Sequence, residues 1–270
     1  KEGKGYADYE IQIREAGLYN IKMKYHPIGE NQFSPIQLGI YINGKLPFST
    51  ADIITLDRPW YHRGETVTDV RGNELQPRQE EFQDWRTQEL KDPEGRYNEP
   101  LYFYFQKGVN NLKIVGLQSN FLLSSIEIYN IPQVKTYKET QRIYEDNGYK
   151  LYNGDNIIIE AEDYIKKSDS MILPDFDKSD PVTRPNDPIK LLLNMVPGLK
   201  YHLPGQWIQW EVDISDSGLY AIHFRARQNI RNGFFSNRKL LINGEVPFKE
   251  AEILEFRSSN RWYIKTAGDV

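Results

Sequence analysis

Two carboxylates two positions apart, Glu160 and Glu162, are the residues of this chain whose spacing most directly suggests chemistry. Side chains at i and i+2 share one face of a strand, so the pair can act at a single point. A glycosidase needs such a pair, with carboxyl groups ~5 to 9.5 Å apart. On one short edge strand, however, paired carboxylates are more often calcium ligands or solvated surface charge, so catalysis is not expected. The other catalytic signatures are missing. His26, His62, His202 and His223 show no H-E-x-x-H pattern or other close metal spacing. No G-x-S-x-G elbow and no glycine-rich phosphate loop occurs. Cysteine is absent, which removes thiol catalysis and a disulfide framework. A net charge of −4 gives no reason to expect nucleic acid, which usually needs a basic face. No apolar run approaches the ~20 residues of a membrane span.

The elements that position these residues are repeated. The stretch 9–19, YEIQIREAGLY, returns at 210–220 as WEVDISDSGLY. The stretch 42–48, INGKLPF, returns at 242–248 as INGEVPF, and each copy runs on to a Trp-Tyr pair, Trp60-Tyr61 and Trp262-Tyr263. An offset this long points to duplicated domains, not to a solenoid of ~20- to 50-residue units. Apolar and polar residues alternate at 9–13, 18–25 and 37–43, and further strand signals stand at 101–106, 112–115 and 122–129. The second copy repeats the pattern at 157–164, 207–214, 219–227 and 239–243. Asn43-Gly44 and Asn243-Gly244 predict tight hairpin turns, because both residues tolerate positive φ. The sequence therefore predicts an all-β chain of antiparallel sandwiches. Two exceptions are expected: a short helix over 79–90 with Phe82 and Trp85 on one face, and another after Pro132 with Gly148 just past its end. The proline-rich stretch 174–204 should hold no long regular structure.

The ordered set IIIEAEDY (157–164), PGQWIQWE (204–211) and SGLY (217–220) resembles carbohydrate-binding modules of families six and thirty-five. The resemblance implies two galactose-binding-like jelly-roll β-sandwiches in tandem, each incomplete. The first spans 1–132 without its N-terminal strand, 133–154 links, and the second spans 155–270 without its closing strands. The tandem is similar to the N-terminal region of large extracellular solute-binding proteins of bacterial sugar importers. That likeness implies an internal segment of a longer extracellular polypeptide, its open sheet sides covered by other chain.

The family also implies a structural calcium ion held by first-strand glutamates, here Glu160 and Glu162; the alternative is solvated acids on an edge strand. It implies sugar stacking on loop tryptophans, here Trp262 and Trp60. Arg225, Arg227 and Asn229 would supply polar contacts, and Phe234 further aromatic surface. Trp207 and Trp210 match a strand that the family buries. The expected function is non-catalytic carbohydrate binding, beside a parent solute-binding domain. The competing expectation is an architectural spacer, which burial of Trp60 and Trp262 would favour.

Overall fold

The computed structural model describes residues 5–29, 34–97 and 99–268. Strands dominate, with a single α-helix among the described residues, so the chain is all-β as the alternation predicts. It forms two compact units, one of Lys1–Ile131 with Ile159–Glu211 and one of Pro132–Ile158 with Val212–Val270. This division differs from the expected 1–132 and 155–270, because 159–211 packs with the first unit.

The first unit contains β1 (Tyr6–Ile13), β2 (Gly17–Ile28), β3 (Ile36–Ile42), β4 (Ile54–Leu56), β5 (Trp60–Arg63) and β6 (Arg78–Glu81). It continues with β7 (Arg86–Glu89), β8 (Tyr102–Phe105), β9 (Gly108–Gln118), β10 (Asn120–Tyr129), β11 (Lys166–Lys167) and β12 (Ile208–Gln209). One sheet has the order β1-β9-β3-β4, and a second has β10-β2-β7 with β8 also paired to β2. All pairings are antiparallel. Period-two alternation builds the core between these sheets. On β2, Ile21, Met23 and Tyr25 are buried while Lys22 and Lys24 between them are not. On β8, Phe103 and Phe105 point inward and Tyr102 and Tyr104 outward. Ile36, Leu38, Ile40, Leu112 and Ile114 complete the same cluster, which makes the unit a β-sandwich.

A third sheet, β12-β11-β5-β6, explains the shifted boundary. The stretch expected to open a second sandwich instead adds β11 beside β5, with Lys167 opposite Trp60. The helix predicted over 79–90 does not form. Its residues are β6, laddered to β5, and β7, laddered to β2. Strand pairing outweighs a weak local helical pattern there. Phe82 meets Tyr61 edge-on at 6.1 Å, and Trp85 meets His26 at 5.5 Å.

The second unit contains α1 (Tyr137–Asp146), β13 (His223–Ala226), β14 (Ser236–Arg238), β15 (Leu254–Phe256) and β16 (Tyr263–Thr266). Helix α1 starts at a capping box in which Thr136 and Glu139 satisfy each other's backbone N–H groups. It ends before Gly148, whose φ of 67° suits the left-handed position past a helix. The pairs β13–β16 and β14–β15 are both antiparallel. No strand forms at 157–164 or 239–243, and those at 207–214 and 219–227 shrink to β12 and β13. The reason is a missing partner. In the first unit β3 lies between β9 and β4, whereas among the described residues β14 pairs with β15 alone. Both Asn-Gly pairs are tight turns with positive φ at each residue, 52° and 74° in one copy and 52° and 85° in the other.

Candidate functional site

Two groupings of side chains have the character of sites, one in each unit. The first is a cleft of about 760 Å³ in the first unit. Strand β5 delivers His62, the chain after it Glu65 and Glu74, and the segment 160–164 delivers Glu160, Glu162, Asp163 and Tyr164. Glu160 and Glu162 do not lie on a strand: the Glu160 carbonyl accepts from the Asp163 N–H at 3.1 Å, so a turn carries them. Glu162 is only 9% exposed, and its Oε2 has no hydrogen-bond partner among the described residues. Burial pushes its carboxyl up to about 7, against the pull of its own backbone N–H. The charges of Glu160, Asp163 and Glu74 add to the rise.

A polar network lies behind the cleft. Tyr164 donates its hydroxyl to the Ile172 carbonyl at 2.6 Å and lies 2.6 Å from His62 Nε2. Lys167, fully buried, donates to the carbonyls of Ile172 and Ser170. Burial lowers its amine to about 7, opposed by Asp169 and assisted by Lys200. Burial and then the Lys167 charge lower His62 to about 4, so the imidazole is neutral near pH 7. Burial raises the Tyr164 hydroxyl.

The two glutamates implied as calcium ligands, Glu160 and Glu162, both line this cleft. Among the described residues no three Asp, Glu, His or Cys side chains come close enough to share an ion. Trp60 is not a stacking platform. It is 4% exposed, held on an interior strand between β6 and β11.

The second grouping lies in the second unit, around Trp262. Arg225 on β13 and Arg227 just past it alternate to one side of the strand. Pairing with β16 sets Ala226 opposite Tyr263, and Trp262 immediately precedes that strand. The guanidinium carbons of Arg225 and Arg227 stand 5.3 and 5.0 Å from the centre of the half-buried Trp262 ring. Three of the sequence-predicted sugar contacts are therefore together. Asn229 and Phe234, both exposed, lie on the loop after β13. Gln228 organises that loop: its amide donates to the carbonyls of Phe234 (2.7 Å) and Arg231 (3.0 Å), and its oxygen accepts from the Ile230 N–H (3.1 Å).

Sequence reasoning missed the cleft residues His62, Glu65, Glu74 and Tyr164. The tyrosine stands two positions after Glu162 and was the one available signal. Trp207 and Trp210, expected in a core, are half-buried. Trp207 donates its indole N–H to Asp57 (2.8 Å) beneath the Arg86 guanidinium, and Trp210 donates to the Ala161 carbonyl (3.2 Å). No protein-family model, curated protein or solved structure matches this chain.

Proposed function

We propose that this chain is a non-catalytic carbohydrate-binding segment of a bacterial extracellular protein, built on galactose-binding-like jelly-roll sandwiches and attached to a solute-binding parent. The observation that carries the reading is the convergence of Arg225 and Arg227 on Trp262. An indole face takes the C–H face of a pyranose, and guanidinium forks donate to pairs of hydroxyls. Exposed Phe234, at 64%, adds apolar surface on the adjoining loop. The test is a glycan array with the intact chain beside a Trp262→Ala variant. Specific retention by the wild type and a loss of about 2 kcal/mol in the variant, the size expected for a buried aromatic anchor, supports the reading. Retention that survives Trp262→Ala sinks it.

The spacer reading has its own support in the burial of Trp60, which leaves the first copy without the aromatic platform of the second. A wild-type chain that retains no glycan on the array would favour it.

A further inference from the structure

The cleft of the first unit carries charge that nothing in it neutralises. Five carboxylates line it, those of Glu65, Glu74, Glu160, Glu162 and Asp163, against the single guanidinium of Arg184. Arg184 forms no ion pair with any of them among the described residues. Glu74 is partly engaged, since its Oε2 accepts from the Leu193 N–H at 2.7 Å. Glu162 is different: nine-tenths buried, lining the cleft, with an oxygen that nothing donates to. A buried acceptor without a donor is costly, and each such group calls for an account.

Among the described residues no three carboxylates converge as the ligands of one metal ion would. The volume, about 760 Å³, admits a molecule. Apolar surface for its body comes from Tyr164, Leu193 and the rings of Pro77, Pro174 and Pro185. We infer that this cleft binds a small organic cation bearing ammonium groups, an oligoamine or an amino sugar, with an N–H donating to Glu162 Oε2. Neutral hydroxyls would satisfy that oxygen but leave the remaining carboxylates uncompensated; an ammonium does both. The inference goes beyond the carbohydrate reading and uses residues of the first unit only.

Isothermal titration of the intact chain tests it, with spermidine, glucosamine disaccharide, the N-acetylated disaccharide and calcium chloride. The expected result is saturable binding of at least one amine, none of the acetylated sugar, and weakening on added salt. Glu162→Gln keeps the shape and removes the charge, and should weaken the amine about tenfold or more. Binding of spermidine alone identifies an oligoamine site, and tighter binding of the glucosamine disaccharide an amino-sugar site. Should Glu162→Gln lose its native circular dichroism, the double variant Glu65→Gln with Glu160→Gln carries the same expectation. Three results overturn the proposal: no heat with either amine, equal binding of the acetylated disaccharide, or unchanged affinity in both variants. Calcium binding with neither amine bound would overturn it in favour of a metal. Trp262→Ala should leave amine binding unchanged, so failure here and failure of the carbohydrate reading are separable.

Discussion

In the first unit Ile42 is 7% exposed at the end of a strand laddered on both sides; its counterpart Ile242 is 44% exposed beside the same turn. The local geometry of the two copies is nonetheless nearly identical. Phe48 and Phe248 precede matching 3-10 turns at φ of −162° each, and Ile53 and Ile253 follow them at −138° and −139°. Register repeats as well: Ile36, Gln37 and Leu38 face Leu56, Thr55 and Ile54, and Ser236, Asn237 and Arg238 face Phe256, Glu255 and Leu254. Tyr19 and Tyr220 each donate to the carbonyl four residues earlier, at 2.7 Å. What differs is the cover. Phe48 packs on Phe103 of β8 at 5.2 Å, whereas Phe248 packs on Tyr137 of α1 at 4.8 Å. Tyr19 meets Phe105 edge-on, and Tyr220 stacks on Tyr152 at 4.5 Å. Short-range sequence thus sets the turns, while burial depends on which distant segment arrives to cover them. In the second unit that segment is the linker and its helix.

Truncating the two covers should separate the units most strongly. Phe103 is fully buried in the sandwich core, and Phe103→Ala should cost about 3–5 kcal/mol. Tyr137 is half-buried on a helix face, and Tyr137→Ala should cost about 1–2 kcal/mol. Urea unfolding of both variants would read the difference. Equal losses would mean that the helix covers the second copy as tightly as strands cover the first, and the comparison would fail.

A buried cation in the first unit sharpens the contrast, because Lys167 is fully enclosed and no lysine of the second unit is. Its amine titrates near 7 in the folded chain and near 10.5 when exposed. Between those values the unfolded chain binds the extra proton, so stability should rise with pH across that window and carry the full penalty below it. The raised hydroxyls of Tyr25 and Tyr164 act the other way once free tyrosine ionises near 10, which confines the measurement to about pH 7–9.5. Urea midpoints over that range should climb for the wild type. In Lys167→Met they should start higher and stay flatter. An identical slope in the variant would remove Lys167 as the cause.

Much of the first unit was legible because its strands alternate and its turns carry Asn-Gly or glycine at positive φ. The failures share a physical origin. Arg78–Glu81 and Arg86–Glu89 have little apolar alternation of their own and become strands only through β5 and β2. Ile157 to Tyr164 has strong strand propensity yet finds no ladder, so propensity without a partner misleads. At the sites, pairing of β13 with β16 gathers Arg225, Arg227 and Trp262 across about 37 residues of the second copy. The acidic cleft joins residues about 90 apart, from Glu74 to Glu162, which no local spacing announces. Trp60 was misjudged for the same reason, since its cover lies at Lys167.

The smallest expected effect falls on the feature the two copies share most closely, the Asn-Gly turn. Asn43 and Asn243 both sit at φ of 52°, a conformation glycine adopts freely. Replacing either with glycine therefore leaves the turn geometry intact and adds the same unfolded-state entropy to both. The side chains are what differ. Asn43 donates to Asn110 Oδ1 at 3.0 Å and accepts from the Asn111 N–H at 2.8 Å, tying the turn to β9. Asn110 is itself fully buried and bonded to Gln106 and Gly108, so the link reaches the β8–β9 connection. Asn243 has no such side-chain hydrogen bonds among the described residues, the second unit having no counterpart of β9 there. Asn43→Gly should therefore destabilise by about 1–2 kcal/mol more than Asn243→Gly, the net worth of the two hydrogen bonds it loses. Chemical denaturation of the two variants in parallel resolves that difference. Equal losses would show that the turns are held by their own backbone alone, and that the ladder beside the first adds nothing to it.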